Sequence, residues 1–200
     1  MNLDKNLIPF LRTDSEYFIQ NLGEPQENGE GFSFPVQNLP FSSFKIHYGL
    51  EKKFLGKIYV MVLEGQFPGK RPFSAPEDLE LRYSGFIKKG RPFFSPPGSK
   101  EMGNNRDGVD QLLNQDQGLL EECWKLEIEF LKIRFDPQNQ IWKIQVRPYG
   151  GSFLKILLPP LKYHVILIKD QAVLIFSVMK KIAHLLTNRF HRDSGNSGAR

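Results

Sequence analysis

The chain holds a single cysteine, Cys123, among its 200 residues. No internal disulfide and no multi-thiolate metal site can therefore form, and a reducing, cytoplasmic location is expected. No apolar run approaches the ~20 residues that a membrane-spanning helix requires. Met1 to Arg12 has neither the basic start nor the long apolar stretch of a secretory leader. Histidine is sparse: His47, His164, His184 and His191 contain no i, i+4 pair, which removes the helical two-histidine metal motif. Gly150-Gly151-Ser152 lacks the lysine and following helix of a nucleotide-binding loop. No cofactor is expected, and no nucleophile with an adjacent base is visible.

What the sequence does have is periodicity, concentrated between Trp124 and Phe190. Trp124, Leu126, Ile128 and Phe130 alternate with Lys125, Glu127 and Glu129, the period-2 pattern of a strand with one wet face. The phase then slips, because Leu131, Ile133 and Phe135 are apolar while Lys132 and Arg134 are charged, and one extra residue near Phe130 predicts a β-bulge. Asp136 to Gln140 is turn chemistry, and Trp142, Ile144 and Val146 alternate with Lys143, Gln145 and Arg147 in a second strand. Pro148-Tyr149-Gly150-Gly151-Ser152 predicts a tight reversal into a third strand, Phe153 to Leu158. Pro159-Pro160 halts that ladder. Leu161 to Ile168 is the fourth strand, with Tyr163, Val165 and Leu167 on one face and Lys162, His164 and Ile166 on the other. From Asp170 the period becomes 3.6, with Ile175, Val178, Met179, Ile182, Leu185 and Leu186 forming the apolar stripe of a helix to Arg189.

The run Trp142-x-Ile-x-Val-x-Pro148-Tyr149-Gly150-Gly151-Ser152, followed by Leu158-Pro159-Pro160, Tyr163 and Gln171, resembles a bacterial family of domains of unknown function. That resemblance implies a bacterial soluble protein and assigns no activity.

Upstream, Asp14 or Ser15 is placed to cap a short helix that Gly23 ends. Phe44 to Tyr48 and Leu79 to Tyr83 alternate as strands, and Ile58 to Leu63, apolar throughout, reads as a strand covered on both faces. Val109 to Asn114 and Gln117 to Cys123 read as short helices capped by Asp107 and Asp116. The expected architecture is α+β: a mainly antiparallel sheet with the C-terminal helix packed across a four-strand meander. Residues 1–190 form one domain, and 191–200 a disordered tail.

The formal charge is +5, from 27 basic and 22 acidic residues. Periodicity puts Lys125, Lys132, Arg134, Lys143, Arg147, Lys155 and Lys162 on the wet face of the meander, against only Glu127 and Glu129. Lys132, Arg134, Lys143, Arg147 and Lys155 are thus the candidate anion-binding residues of a non-enzymatic binding or accessory protein whose partner is a protein or a polyanion. A solvated lysine-rich face, with Glu127 and Glu129 paired to Lys143 and Arg147, gives the same pattern. The alternative is an enzyme whose site lies between two similar loops at 68–76 and 89–97, carrying Arg71 and Arg91. Each loop joins cationic and aromatic residues in a form suited to a phosphate or a base.

Overall fold

The computed structural model describes residues 5–54, 56–70, 78–85, 89–99, 108–157 and 160–193. The apolar run at Ile58 to Leu63 is the middle of β4 (Gly56–Pro68), a 13-residue strand at the centre of the sheet. One flank of β4 pairs along its length with β3 (Ser43–Lys53), and β2 (Gly31–Phe34) and β1 (Gln26–Asn28) continue outward. The other flank is shared. Leu63 to Pro68 pair with β8 (Ile141–Pro148), and Gly56 to Val60 pair with β9 (Ser152–Leu157). Beyond β8 lie β7 (Ile128–Asp136), β5 (Asp78–Tyr83) and β6 (Pro92–Ser95), while β10 (Pro160–Val165) pairs only with β9. Among the described residues every pairing is antiparallel, and ten strands form one forked sheet.

One face of the sheet is apolar. Phe44, Ile46, Tyr48, Met61, Leu63, Phe67, Leu131, Ile133, Trp142, Ile144 and Val146 are buried there, and burying each large side chain stabilises the fold by about 1.5–3 kcal/mol. The helix α5 (Lys169–Asp193) lies on this face and buries Ile175, Phe176, Val178, Met179, Ile182 and Leu186. Gly65, in mid-strand, makes that approach possible: a Cβ there would sit 2.8 Å from the Phe41 ring and 3.3 Å from Met179. Phe176 meets Phe18, Phe41 and Phe44, with centroids 5.6, 6.3 and 5.2 Å away. Phe18 belongs to α2 (Glu16–Leu22), which Gly23 ends at φ +95°. The helices α3 (Val109–Gln115) and α4 (Gln117–Trp124) flank α5, and Asp116 caps α4 by accepting from the Leu119 N–H at 2.8 Å.

The bulge predicted near Phe130 is present as a register shift between Ile128 and Phe130. The reversal predicted at 148–152 is not. β8 and β9 run in the same direction, end to end along β4, and only Met61 and Val62 separate their registers where the partner chain spends Arg147 to Gly151. Three residues are extra, so the strand leaves β4, loops out and returns. Gly151, at φ +74°, sits so close to Met61 that a Cβ would lie 2.5 Å from Sδ. An odd insertion also flips the side-chain phase. Lys155 therefore lies on the α5 side of the sheet, opposite to Lys143, and not on the wet face shared with it.

Other expectations shift as well. The outward residues of β10 are Leu161 and Tyr163, while His164 faces inward, 5.0 Å from the Phe10 ring. Residues 89–97, read as a loop, contain β6. Helix α5 carries through 191–193, which were assigned to the tail; Asp107, the proposed cap of α3, lies outside the described residues. A first helix, α1 (Ile8–Asp14), was not anticipated. Its last residue, Asp14, explains the inward turn of His164: the buried carboxylate accepts from Tyr48 Oη (3.0 Å) and the Leu167 N–H (3.1 Å), and lies 2.9 Å from His164 Nε2. Asp14 thus ties the N-terminal helix to β3 and to both ends of the β10 turn into α5.

Removing that acceptor leaves three polar groups unmatched in the interior, where each lost partner costs roughly 1–3 kcal/mol. Asp14→Ala should lower unfolding free energy by about 3 kcal/mol or more in urea titrations. A change below about 1 kcal/mol would show that the knot contributes little.

Candidate functional site

Lys132, Arg134, Lys143 and Arg147 do share the outer face of the sheet, as alternation along β7 and β8 requires. Their neighbours are the surprise. β5, β4 and β3 each place a carboxylate opposite a cation. Lys132 Nζ is 3.1 Å from Glu80. Arg134 grips Asp78 with two nitrogens, at 2.7 and 3.2 Å. Lys143 is 3.3 Å from Glu64. Arg147 Nε is 2.8 Å from Glu129, and its Nη2 bonds Glu51. The Arg147 side chain, only 13% exposed, is a half-buried strut and not a free solvent-facing cation. The expected pairing of Glu129 with Arg147 is realised, whereas Glu127 makes its recorded hydrogen bond through its backbone N–H to Gln171.

Three of these carboxylates, Glu51, Glu64 and Glu80, are held below the usual carboxylate range. Burial works against the charge on Glu64, but hydrogen bonds from Gln145 and Gln66 and the Lys143 ammonium outweigh it and keep its pKa below the usual value. Burial likewise opposes ionisation of Glu80, and Lys132 and Arg82 outweigh it. Two depressions open on this face: one of about 210 Å³ between Asp78, Glu80, Lys132 and Arg134, the other of about 430 Å³ beside the Asp136–Gln140 turn. Arg134 and Lys143 border both. Each lining joins carboxylates with cations and holds one cation in excess, Asp78 and Glu80 against Lys132, Arg134 and Lys143 in the first and Asp136 against Arg134 and Lys143 in the second.

The remaining candidate, Lys155, sits in a different environment. Across the sheet, Lys52 of β3 is the register partner of Lys57 of β4, Lys57 of Lys155 in β9, and Lys155 of Lys162 in β10. Four lysines thus stand in one row on one face, at the ~4.8 Å spacing of adjacent strands. All four are exposed, and among the described residues none has a carboxylate within ion-pair distance. Like charges directly opposite one another destabilise a sheet, so the row is a cost that the fold itself does not need.

The two-loop alternative is only partly visible. Arg91 is exposed ahead of β6, its carbonyl accepting from the Ser84 N–H at 2.9 Å, and Arg71 lies outside the described residues. Cys123 is fully buried and its thiol is pushed up to about 12, chiefly by burial, so it is a poor nucleophile. Among the described residues no cluster of His, Cys, Asp and Glu has metal-binding geometry, and no helix is long and apolar enough to cross a membrane.

These features define an α+β protein whose charged chemistry lies on sheet faces and in shallow depressions. The chain belongs to the family described as protein of unknown function DUF3156, whose model matches residues 23–186. The match extends well upstream of the Trp142–Gln171 stretch that carries the resemblance in sequence. No curated protein and no solved structure matches the chain.

The paired carboxylates set an acid limit. A carboxyl held below its ordinary value contributes stability that is complete above that value, 4.5 for Glu64, and is lost as the pH falls through the lower folded value. Stability measured by denaturant titration should therefore decline on acidification below about pH 4.5. Glu64→Gln should be less stable at neutral pH and show a shallower acid decline. Parallel curves for the two proteins would show that Glu64 is not a source of the slope.

Proposed function

We propose that this protein is a non-enzymatic, cytoplasmic binding module that presents the row Lys52, Lys57, Lys155 and Lys162 to an anionic partner. One observation carries the reading: these four cations are side by side and uncompensated among the described residues, whereas Lys132, Arg134, Lys143 and Arg147 each have a carboxylate. A row about 14 Å long, from three strand spacings, matches successive negative groups along a polymer or a surface. Neutralising it relieves mutual repulsion of about 1 kcal/mol or less per neighbouring pair in water, so an anion gains attraction while the protein loses strain. The ion-paired outer face supports the fold instead, and Arg134 with Lys143 offers at most a secondary polar contact.

Retention on immobilised heparin, eluted with salt, distinguishes the two faces. Lys57→Glu with Lys155→Glu should elute at clearly lower salt and unfold no more easily than the parent, since it turns two of the three like-charge contacts in the row, 52 with 57 and 155 with 162, into opposite-charge ones. Arg134→Gln should elute with the parent. Unchanged retention of the Lys57/Lys155 double variant would overturn the assignment.

A further inference from the structure

Arg134 and Lys143, the two cations that border both depressions on the outer face, are also register partners across β7 and β8. Elsewhere on that face the described pairings set a cation against a carboxylate or an uncharged residue, as Lys45 against Glu64 and Lys132 against Glu80 and Gln145. Like charges directly opposite one another destabilise a sheet. Each member of the pair is held from one side. Arg134 grips Asp78 through Nε and Nη2, which leaves Nη1 without a hydrogen bond among the described residues. Lys143 Nζ reaches Glu64 at 3.3 Å, and that carboxylate already accepts from Gln66 and Gln145, each at 2.8 Å.

The larger depression, about 430 Å³, opens from this pair toward the turn at 136–140. Its volume falls within the roughly 300–1,000 Å³ of ligand sites. Its single carboxylate, Asp136, is satisfied inside the turn. Oδ1 accepts from the Gln138 and Asn139 N–H groups at 2.9 and 3.2 Å, and Oδ2 accepts from Asn139 Nδ2 at 2.7 Å. These bonds, the Asn139 side chain foremost, hold the Asp136 carboxyl below the usual range. The lining therefore offers one cation in excess, with the half-buried Ile141 and Pro137 as its apolar side.

A polymer of repeated negative charge does not suit this place, because its next groups would meet Asp78, Glu80 and Glu64. One negative group on a short apolar body does. We propose that the depression binds a small monocarboxylate, its oxygens bridging Arg134 Nη1 and Lys143 Nζ and its carbon chain lying against Ile141 and Pro137. A carboxylate accepts charge-assisted hydrogen bonds from both cations at once. It also relieves the like-charge contact between β7 and β8. The site is separate from the lysine row, which lies on the opposite face of the sheet.

Titration of the isotope-labelled full chain with sodium butyrate, followed by amide NMR spectra against sodium chloride at matched ionic strength, tests the assignment. Butyrate should shift the Arg134 Nε–H signal and the backbone N–H signals of Asn139, Ile141 and Lys143. The shifts should saturate with a Kd of ~1–10 mM, in keeping with so small a ligand; chloride should produce none. Arg134→Gln and Lys143→Gln should each weaken binding by about tenfold, with the remaining signals showing that the fold is kept. Lys132→Gln, at a residue that lines only the smaller depression, should bind as the parent does. If Lys143→Gln fails to fold, Arg134→Gln, at an exposed position, decides alone. Shifts that chloride reproduces, or binding undiminished in Arg134→Gln, would overturn the site. Tighter binding of inorganic phosphate at the same signals would overturn the monocarboxylate assignment. Loss of the butyrate response in Arg134→Gln with heparin retention unchanged would establish that this site and the lysine row are independent.

Discussion

Everything in this fold is arranged around one constraint: β4 is longer than any strand that could cover its second flank alone. Its 13 residues are matched on one side by the 11 of β3, but on the other by β8 and β9 in series. A strand buried at the centre of a sheet must have both rows of backbone groups paired, and two short strands in tandem achieve this if the join can leave and re-enter the ladder. Gly150 and Gly151 make the join. A Cβ at Gly150 would meet the Ile166 carbonyl at 2.8 Å, so the join is packed against the chain that follows β10 and is not a slack loop.

The parity of that join then sets the electrostatics. An insertion of even length would have kept Lys155 on the outer face with Lys143 and Arg147. The odd one places it on the other face, in line with Lys57, and brings Lys162 with it. The lysines and arginines of β7, β8, β9 and β10, with Lys52 and Lys57, are thereby sorted into a set paired with Asp78, Glu80, Glu64, Glu51 and Glu129 and a set left facing water. The first set resembles structural ion pairing, in which removing one partner strands the other. The second is exposed, and among the described residues no carboxylate lies within ion-pair distance of it.

Periodicity made much of this legible. The bulge at Phe130, the cap at Asp116 and the apolar stripe of α5 all follow from spacing within one segment, and the structure contains each of them; the first strand, read from Trp124, begins only at Ile128, because Trp124 closes α4. What could not be read was pairing between distant segments. The carboxylates that cancel Lys132, Arg134 and Lys143 come from β4 and β5, more than fifty residues upstream, and no local pattern names them. Asp14 and His164, 150 residues apart, are invisible as partners for the same reason. Gly150-Gly151 looked like a hairpin because a hairpin and a loop-out use the same glycine chemistry; only β4, reaching past both, decides between them. Of the candidate site, Lys155 and Lys162 were legible as exposed cations, whereas Lys52 and Lys57 were not, since their strand register was unknown.

The central claim is therefore a register: Lys57 of β4 beside Lys155, and Lys155 beside Lys162. Backbone proton contacts in solution by nuclear Overhauser spectroscopy measure it directly. The account predicts cross-strand contacts between Lys57 and Lys155, between Lys155 and Lys162, and between Met61 and Gly151. Cross-strand contacts joining β8 to β9, such as Ile144 with Phe153, would mean that the chain reverses at Gly150-Gly151 after all, and the lysine row would not exist.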